Sequence, residues 1–404
     1  MRRSVRLGAF VVAAGAFALQ PALAQKHYDP GVSDTSIKIG QTAPLSGPFS
    51  VSGNVAKAQI TFFKMINDQG GVNGRKIDFI VYDDGYNPAR TVEQTRKLVE
   101  QDKIFIDFGS TGTPTNLAIR KYLNQNKIPQ LFLVSGAPQF NDPKNFPWSI
   151  PGAGNYVTEG RIDAQYILKN KPDAKIAVLY QNGDLGGSFL KGLRQQLGDK
   201  ADKMIVSAIS FEPTDPTVDS QVISLAQTHA TVFMDYALPK IVAQALRKAV
   251  DLGWKPLHIV PAIAAIPEAA FKPAGVENAI GTISLTALKD PTDKVQWGNS
   301  PDFKAFTAWM EKYNTSSPDP GSVLNSVAFG SASLLIDVLK GCGDNLTREN
   351  VIKVAGQLDV AVPMFLPGIR FHITPDNYDA FRQAQIARFD GKKMVPIGQL
   401  ISVE

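Results

Sequence analysis

A chain of 404 residues is longer than a single hydrophobic core comfortably organises, which predicts two domains, and 44% apolar with 20% charged residues is the balance of an ordinary globular protein. The formal charge of +5 includes Arg2, Arg3 and Arg6 of an acid-free leader; without them it is +2, which leaves no nucleic-acid footprint. The single cysteine, Cys342, excludes an internal disulfide.

The leader has a basic start, an apolar run over 7–19 and the small-residue pattern Ala22-Leu23-Ala24. This predicts a secretory signal spanning 1–24, cut after Ala24, and hence a periplasmic protein. The apolar run is short for a membrane anchor, and no later stretch reaches 18 apolar residues.

A regular β/α alternation follows. Strands are predicted at 37–42, 77–82, 104–108 and 131–134, with helices at 54–69, 88–101 and 113–124 between them; Asn87-Pro88 is a helix cap followed by a proline at the first helical position. The run 146–152 (FPWSIPG) breaks the rhythm and reads as a crossing between domains. A second alternation then gives helices at 156–169, 186–197, 218–228 and 239–252, with strands at 175–180, 204–211, 231–236 and 257–263. The extended run 282–286 reads as a return crossing, helices are expected at 301–313, 322–340 and 347–357, and the tail is rich in short strands. The expected fold class is α/β: two doubly wound parallel-sheet lobes joined by a three-crossing hinge, lobe 1 from 33–149 and 283–380, lobe 2 from 150–282 and 381–404.

The chemistry concentrates at residues 104–137. Two strand-length runs end in small polar turns, Ser110-Thr111-Gly112-Thr113 and Ser135-Gly136-Ala137, with a crossover helix between them. Both turns then emerge at the carboxyl edge of one sheet, where open α/β sheets bind ligands, and their N–H and hydroxyl groups suit a carboxylate. Ordinary capped turns are the alternative.

These features together resemble the substrate-binding proteins of ABC importers in the leucine/isoleucine/valine-binding branch, with the type I periplasmic-binding fold. The resemblance is carried by Ile37-Lys38-Ile39-Gly40 leading to Pro44-Leu45-Ser46-Gly47-Pro48, by Gly70-Gly71-Val72-Asn73-Gly74-Arg75, by Asp83-Asp84, and by the two turns. It implies a hinged clamshell whose first-lobe turns hold the ligand carboxylate through Ser110, Thr111, Gly112, Thr113, Ser135, Gly136 and Ala137, with Phe49 nearby. Across the cleft it implies Leu185, where the family has tyrosine, the aromatic Tyr236, and the turn at Ala262 and Ile263. That turn lacks the acid that neutralises an amino-acid ligand, although Asp184 or Asp235 is a possible substitute. An unpaired buried ammonium is costly, so the expected ligand is a small carboxylate with an apolar or aromatic body and no amino group. Branched-chain amino acid or amide binding is the alternative, and a sensor subunit is a third reading. The implied partner is a membrane permease, the implied state a monomer.

Other chemistry is not suggested. The four histidines are scattered without ligand spacing, no phosphate loop, nucleophile elbow or dinucleotide fingerprint is present, and no enzyme activity, metal or cofactor is expected. Asp83-Asp84 reads as a solvated turn and His258 as a satisfied interior residue.

Overall fold

The computed structural model describes residues 26–47 and 49–403; the leader and Pro48 lie outside the described residues. Two sheets form the framework. The first has five parallel strands in the order Lys76–Asp83, Ser36–Ala43, Ile106–Phe108, Gln130–Leu133 and Ser149–Pro151. The second has seven, in the order Met394–Ser402, Gln383–Phe389, Ile283–Thr286, Leu257–Ile259, Val232–Tyr236, Ile176–Gln181 and Ile205–Phe211. Its two C-terminal strands pair antiparallel and the other five are parallel.

Strand Ile176–Gln181 shows why the second sheet is covered on both faces. Ile176 and Val178 join one apolar cluster with Phe189 and Met234, while Ala177 and Leu179 join another with Phe233 and Leu246. A parallel sheet buried on both sides needs such a continuous apolar run rather than alternation. The first lobe gathers Phe62, Phe63, Phe108, Phe132, Trp309 and Phe329 in one core. Helix Val323–Cys342, long and apolar enough by length and composition to cross a membrane, is instead packed within that core beside helix Asn54–Asp68. Cys342 is buried there, which pushes its thiol up to about 12.

The chain crosses between the sheets three times: after Pro151, after Thr286 and before Gln383. Two details differ from the sequence reading. Ile283–Thr286, read as the start of the return crossing, pairs with Leu257–Ile259 and Gln383–Phe389 inside the second sheet. The strand expected over 257–263 stops at Ile259, because Pro261 has no N–H for the ladder and Ala262–Ala264 turns into a short 3-10 helix.

In the first sheet the strand order reverses between Ser36–Ala43 and Ile106–Phe108, and in the second between Ile176–Gln181 and Val232–Tyr236. Such switch points open a crevice beyond the strand ends. The loops after Ala43, Phe108, Gln181 and Tyr236 therefore border the candidate site.

Candidate functional site

The first turn is held from below. Gly109, at φ 67°, and Gly112, at φ 110°, take left-handed conformations that favour glycine, and a Cβ on Gly112 would lie 2.5 Å from both Thr115 Oγ1 and a ring carbon of Tyr86. Between them Ser110 turns inward: its hydroxyl donates to Asp107 Oδ1 at 2.7 Å and accepts from the Thr42 N–H at 3.1 Å. Asp107 is fully buried and burial pushes its carboxyl up to about 7. The Thr111 hydroxyl donates to the Gly109 carbonyl, the Thr111 N–H to Thr42, and the Gly112 N–H to Val134. The sequence grouped Ser110, Thr111 and Gly112 as ligand donors; in the structure these groups brace the turn.

Thr113 and Ser135 do come together. Their hydroxyl oxygens are 2.7 Å apart, at the N-terminus of helix Thr113–Gln125. The Ala137 N–H is taken by Ser135 Oγ at 3.2 Å. Two tyrosines that the sequence reading missed converge here. The Thr113 N–H faces the Tyr86 hydroxyl; the Gly136 N–H and the Thr113 and Ser135 hydroxyls face the Tyr156 hydroxyl. Burial raises both phenols, against these donors. Tyr86 stands at φ 60° with its ring 4.1 Å from that of Phe49. Asp83 fixes the neighbouring loop by accepting from the Leu45 and Ser46 N–H groups at 2.9 and 3.1 Å, which lowers its pKa, although burial opposes this. Asp84 is fully buried and accepts from the Tyr86 N–H and the Thr91 hydroxyl. Asp83-Asp84 is thus a scaffold for Tyr86 and not the solvated turn expected from sequence.

Tyr156 opens helix Tyr156–Asn170, which belongs to the second lobe, and its N–H donates to the Gly136 carbonyl across the cleft at 2.8 Å. Its ring stacks on Phe189 at 4.6 Å, and Phe189 stacks on Tyr236 at 4.9 Å. One apolar cluster runs from Leu133, Ala137 and Phe140 of the first lobe into Tyr156, Leu185, Phe189 and Tyr236 of the second. Leu185 and Tyr236 are therefore packed inside this cluster, and the Tyr236 hydroxyl donates to Asp163 at 3.3 Å.

The turn at Ala262 carries no acid of its own, but one reaches it from elsewhere. Glu159, on the helix begun by Tyr156, accepts the exposed Ala262 N–H at 2.6 Å. Ile263 is half-buried against the same lobe. The two acids considered as substitutes lie differently: Asp235 is buried 3.3 Å from His258, and Asp184 is exposed and accepts from Gln139. A cavity of about 450 Å³ lies to one side, beside the crossings, bordered by Pro267, Glu268, Asp290, Trp297 and Asp319; none of the residues above lines it. Among the described residues no group of three or more His, Cys, Asp or Glu side chains is placed to hold a metal ion.

The model of a family described as periplasmic binding proteins matches residues 36–393, nearly the whole described chain. The chain belongs to that family. This binding protein is 25% identical over 181 residues to Leu/Ile/Val-binding protein homolog 3 of Brucella melitensis biotype 1, covering 45% of the chain and 48% of the relative. It thus spans about half the length of the curated relatives it matches. Its fold is shared with a branched-chain amino acid ABC transporter protein from Thermus thermophilus with bound valine: TM-score 0.80, 18% identity, 92% of this chain and 98% of that one. A fatty acid ABC transporter substrate-binding protein from Thermomonospora curvata aligns with TM-score 0.77 and 23% identity over 94% of this chain and 95% of that one. Two lobes with three crossings are the type I periplasmic-binding architecture expected from the sequence.

Proposed function

We propose that this chain is the periplasmic solute-binding component of an ABC importer, not an enzyme, and that it takes a small carboxylate between its lobes and presents it to a membrane permease. The observation that carries this reading is the convergence of the Thr113 and Gly136 N–H groups with the Thr113, Ser135, Tyr86 and Tyr156 hydroxyls at one helix N-terminus. Such a cradle solvates an anion by dipoles and the helix macrodipole without a basic side chain. The Phe49 and Tyr86 rings beside it suit an apolar or aromatic body. The relatives' names, covering amino acids and a fatty acid, agree in a carboxylate and differ in the rest. The Ala262 turn does not speak against an amino group, because Glu159 stands at it.

The test is a thermal-shift panel of aromatic acids, aliphatic acids and amino acids. A ligand at about 100 times Kd should stabilise by about 2.7 kcal/mol. Thr113→Val and Ser135→Ala should each weaken the best ligand by about 1–3 kcal/mol, the worth of a hydrogen bond to a charged group. Undiminished affinity in both variants would move the carboxylate elsewhere.

A further inference from the structure

The cavity beside the crossings is bordered by both lobes, and its walls bring two acids together. Glu268 lies in the segment Pro267–Phe271, whose Ala270 and Phe271 are buried in the second-lobe core. Asp319 lies in the loop before helix Val323–Cys342 of the first lobe, where the Ser317 hydroxyl and the Asn325 side-chain amide fix its carbonyl at 3.1 and 2.9 Å. Both side chains border the cavity, and their carboxyls meet within hydrogen-bonding reach. Each acid is anchored in its own lobe, so only the approach of the lobes joins them.

Two ionised carboxylates offer acceptors and no donor, and they repel. Glu268 Oε2 is buried without a hydrogen-bond donor among the described residues, while Asp319 Oδ1 takes the Gly321 N–H at 2.9 Å. The cations around the cavity are engaged elsewhere or turned to water. Lys393 sits 2.8 Å from Asp293 and 3.6 Å from Asp290, and Lys272 and Lys392 are exposed. On helix Pro239–Asp251, which packs against the Glu268 segment, Arg247 turns to the Pro273 carbonyl and Lys248 to Asp219. A proton on Glu268, donated to Asp319, converts the repulsion into a hydrogen bond. Burial and the Asp319 carboxyl raise Glu268 above its ordinary value of 4.5, against its own backbone N–H and the charge of Lys272.

We propose that Glu268 and Asp319 form a proton latch between the lobes: closure joins the two carboxyls and takes up one proton from solvent, and opening releases it. The sign follows from the tighter hold of the closed arrangement on that proton. Its bias toward closure is complete below about pH 4.5 and is lost as pH rises through the raised Glu268 value. The latch concerns the motion of the lobes and does not depend on where the solute carboxylate sits.

The experiment follows closure in the ligand-free whole chain by single-molecule energy transfer between dyes at Lys57→Cys on the first lobe and Lys191→Cys on the second. Both positions are exposed, and the native Cys342 is buried and stays unlabelled. The closed-to-open ratio should be about threefold or more higher at pH 5 than at pH 8. Glu268→Gln supplies a permanent amide donor to Asp319, so it should abolish the pH response and hold the ratio at pH 8 near the wild-type value at pH 5; that gain also shows that the variant is folded. Asp319→Asn should do the same, and Glu159→Gln should leave the response in place. A wild-type ratio that is equal at the two pH values overturns the latch. A response that survives in both Glu268→Gln and Asp319→Asn, or that disappears in Glu159→Gln, assigns the proton to another group and overturns it too. No ligand is added, so failure of the latch is distinct from failure of the cradle.

Discussion

Gly136 is the position at which one methyl group should be felt by both lobes. A Cβ built there would overlap the Gly154 carbonyl oxygen and lie 2.5 Å from two ring carbons of Tyr156. Gly154 sits in the first crossing and Tyr156 begins the second-lobe helix, so the clash falls across the cleft and not within one core. Overpacking by a methylene usually costs about 1–3 kcal/mol. The upper end applies here, because a carbonyl oxygen held between the strand Ser149–Pro151 and the capped helix cannot rotate away as a side-chain tip does. At about 2–4 °C per kcal/mol for domains of 150–250 residues, Gly136→Ala should lower the unfolding temperature by several degrees.

Ligand affinity should fall with it, since the Gly136 N–H and the Tyr156 hydroxyl both belong to the proposed cradle. Gly187→Ala is the matched control. It lies in helix Asp184–Leu197, and a Cβ there meets nothing within 4 Å, so alanine should be neutral or stabilise by up to about 1 kcal/mol. Thermal unfolding by circular dichroism and calorimetric titration read the two effects separately. Gly136→Ala that unfolds with the wild type and binds equally well would refute the close approach of the lobes at this point.

Two further outcomes follow from the same helix. Gly160 and Gly192 let helices Tyr156–Asn170 and Asp184–Leu197 touch backbone to backbone: a Cβ on Gly160 would overlap the Phe189 carbonyl, and one on Gly192 the Val157 carbonyl. Gly160→Ala should therefore destabilise by about 1–3 kcal/mol despite its better helix propensity, and equilibrium denaturation with an unchanged midpoint would rule this packing out. The second outcome concerns pH. Glu159 titrates at about 7 when folded against 4.5 as its ordinary value, so the folded state binds the proton more tightly. That contribution is complete below about pH 4.5 and is lost as pH rises through 7, and Asp163 acts in the same direction. The ligand-free protein should lose stability between pH 5 and 8 from this source, by about 1–2 kcal/mol for Glu159 after allowance for its partial exposure. Glu159→Gln should flatten the slope in denaturation curves at the two pH values; identical slopes would mean that burial does not raise this carboxyl.

The framework was legible because each strand of the parallel sheets is a short apolar run bounded by turn residues, and because caps such as Asn87-Pro88 mark helix starts in the local sequence. Asn87 does accept from the Ala89 and Arg90 N–H groups. The two polar turns at one sheet edge were legible for the same reason. Which hydroxyls face the cleft was not, since that depends on partners distant in sequence. Ser110 turns inward because Asp107 and the Thr42 N–H receive it. Thr113 and Ser135, 22 residues apart, meet only when their strands pair. Tyr86 and Tyr156 leave no local signal, as single tyrosines after glycine-containing turns. Glu159 and Asp163 did leave one, an acid pair four residues apart on a helix with buried neighbours, but that pattern more often marks a solvated face. Ile283–Thr286 was misplaced because a strand's sequence does not say which of two sheets it joins.

The contributors that the sequence missed also bear on how binding and closure are linked. Thr113, Ser135 and Gly136 belong to one sheet edge and exist whether or not the lobes meet. Tyr156 and Glu159 arrive on a helix of the other lobe, tied to the first by the bond from the Tyr156 N–H to the Gly136 carbonyl. An anion held by the proposed first-lobe cradle and by the Tyr156 hydroxyl therefore has more partners in the closed arrangement than in any open one. A ligand shifts an equilibrium only by its difference in affinity between states, and a shift from 1:99 to 99:1 needs about 5.5 kcal/mol. One charged hydrogen bond added on closure, at about 1.5–3 kcal/mol, supplies up to about half of that. On the proposed reading, second-lobe residues such as Tyr156, more than the first-lobe turns, should therefore decide which solutes close the protein.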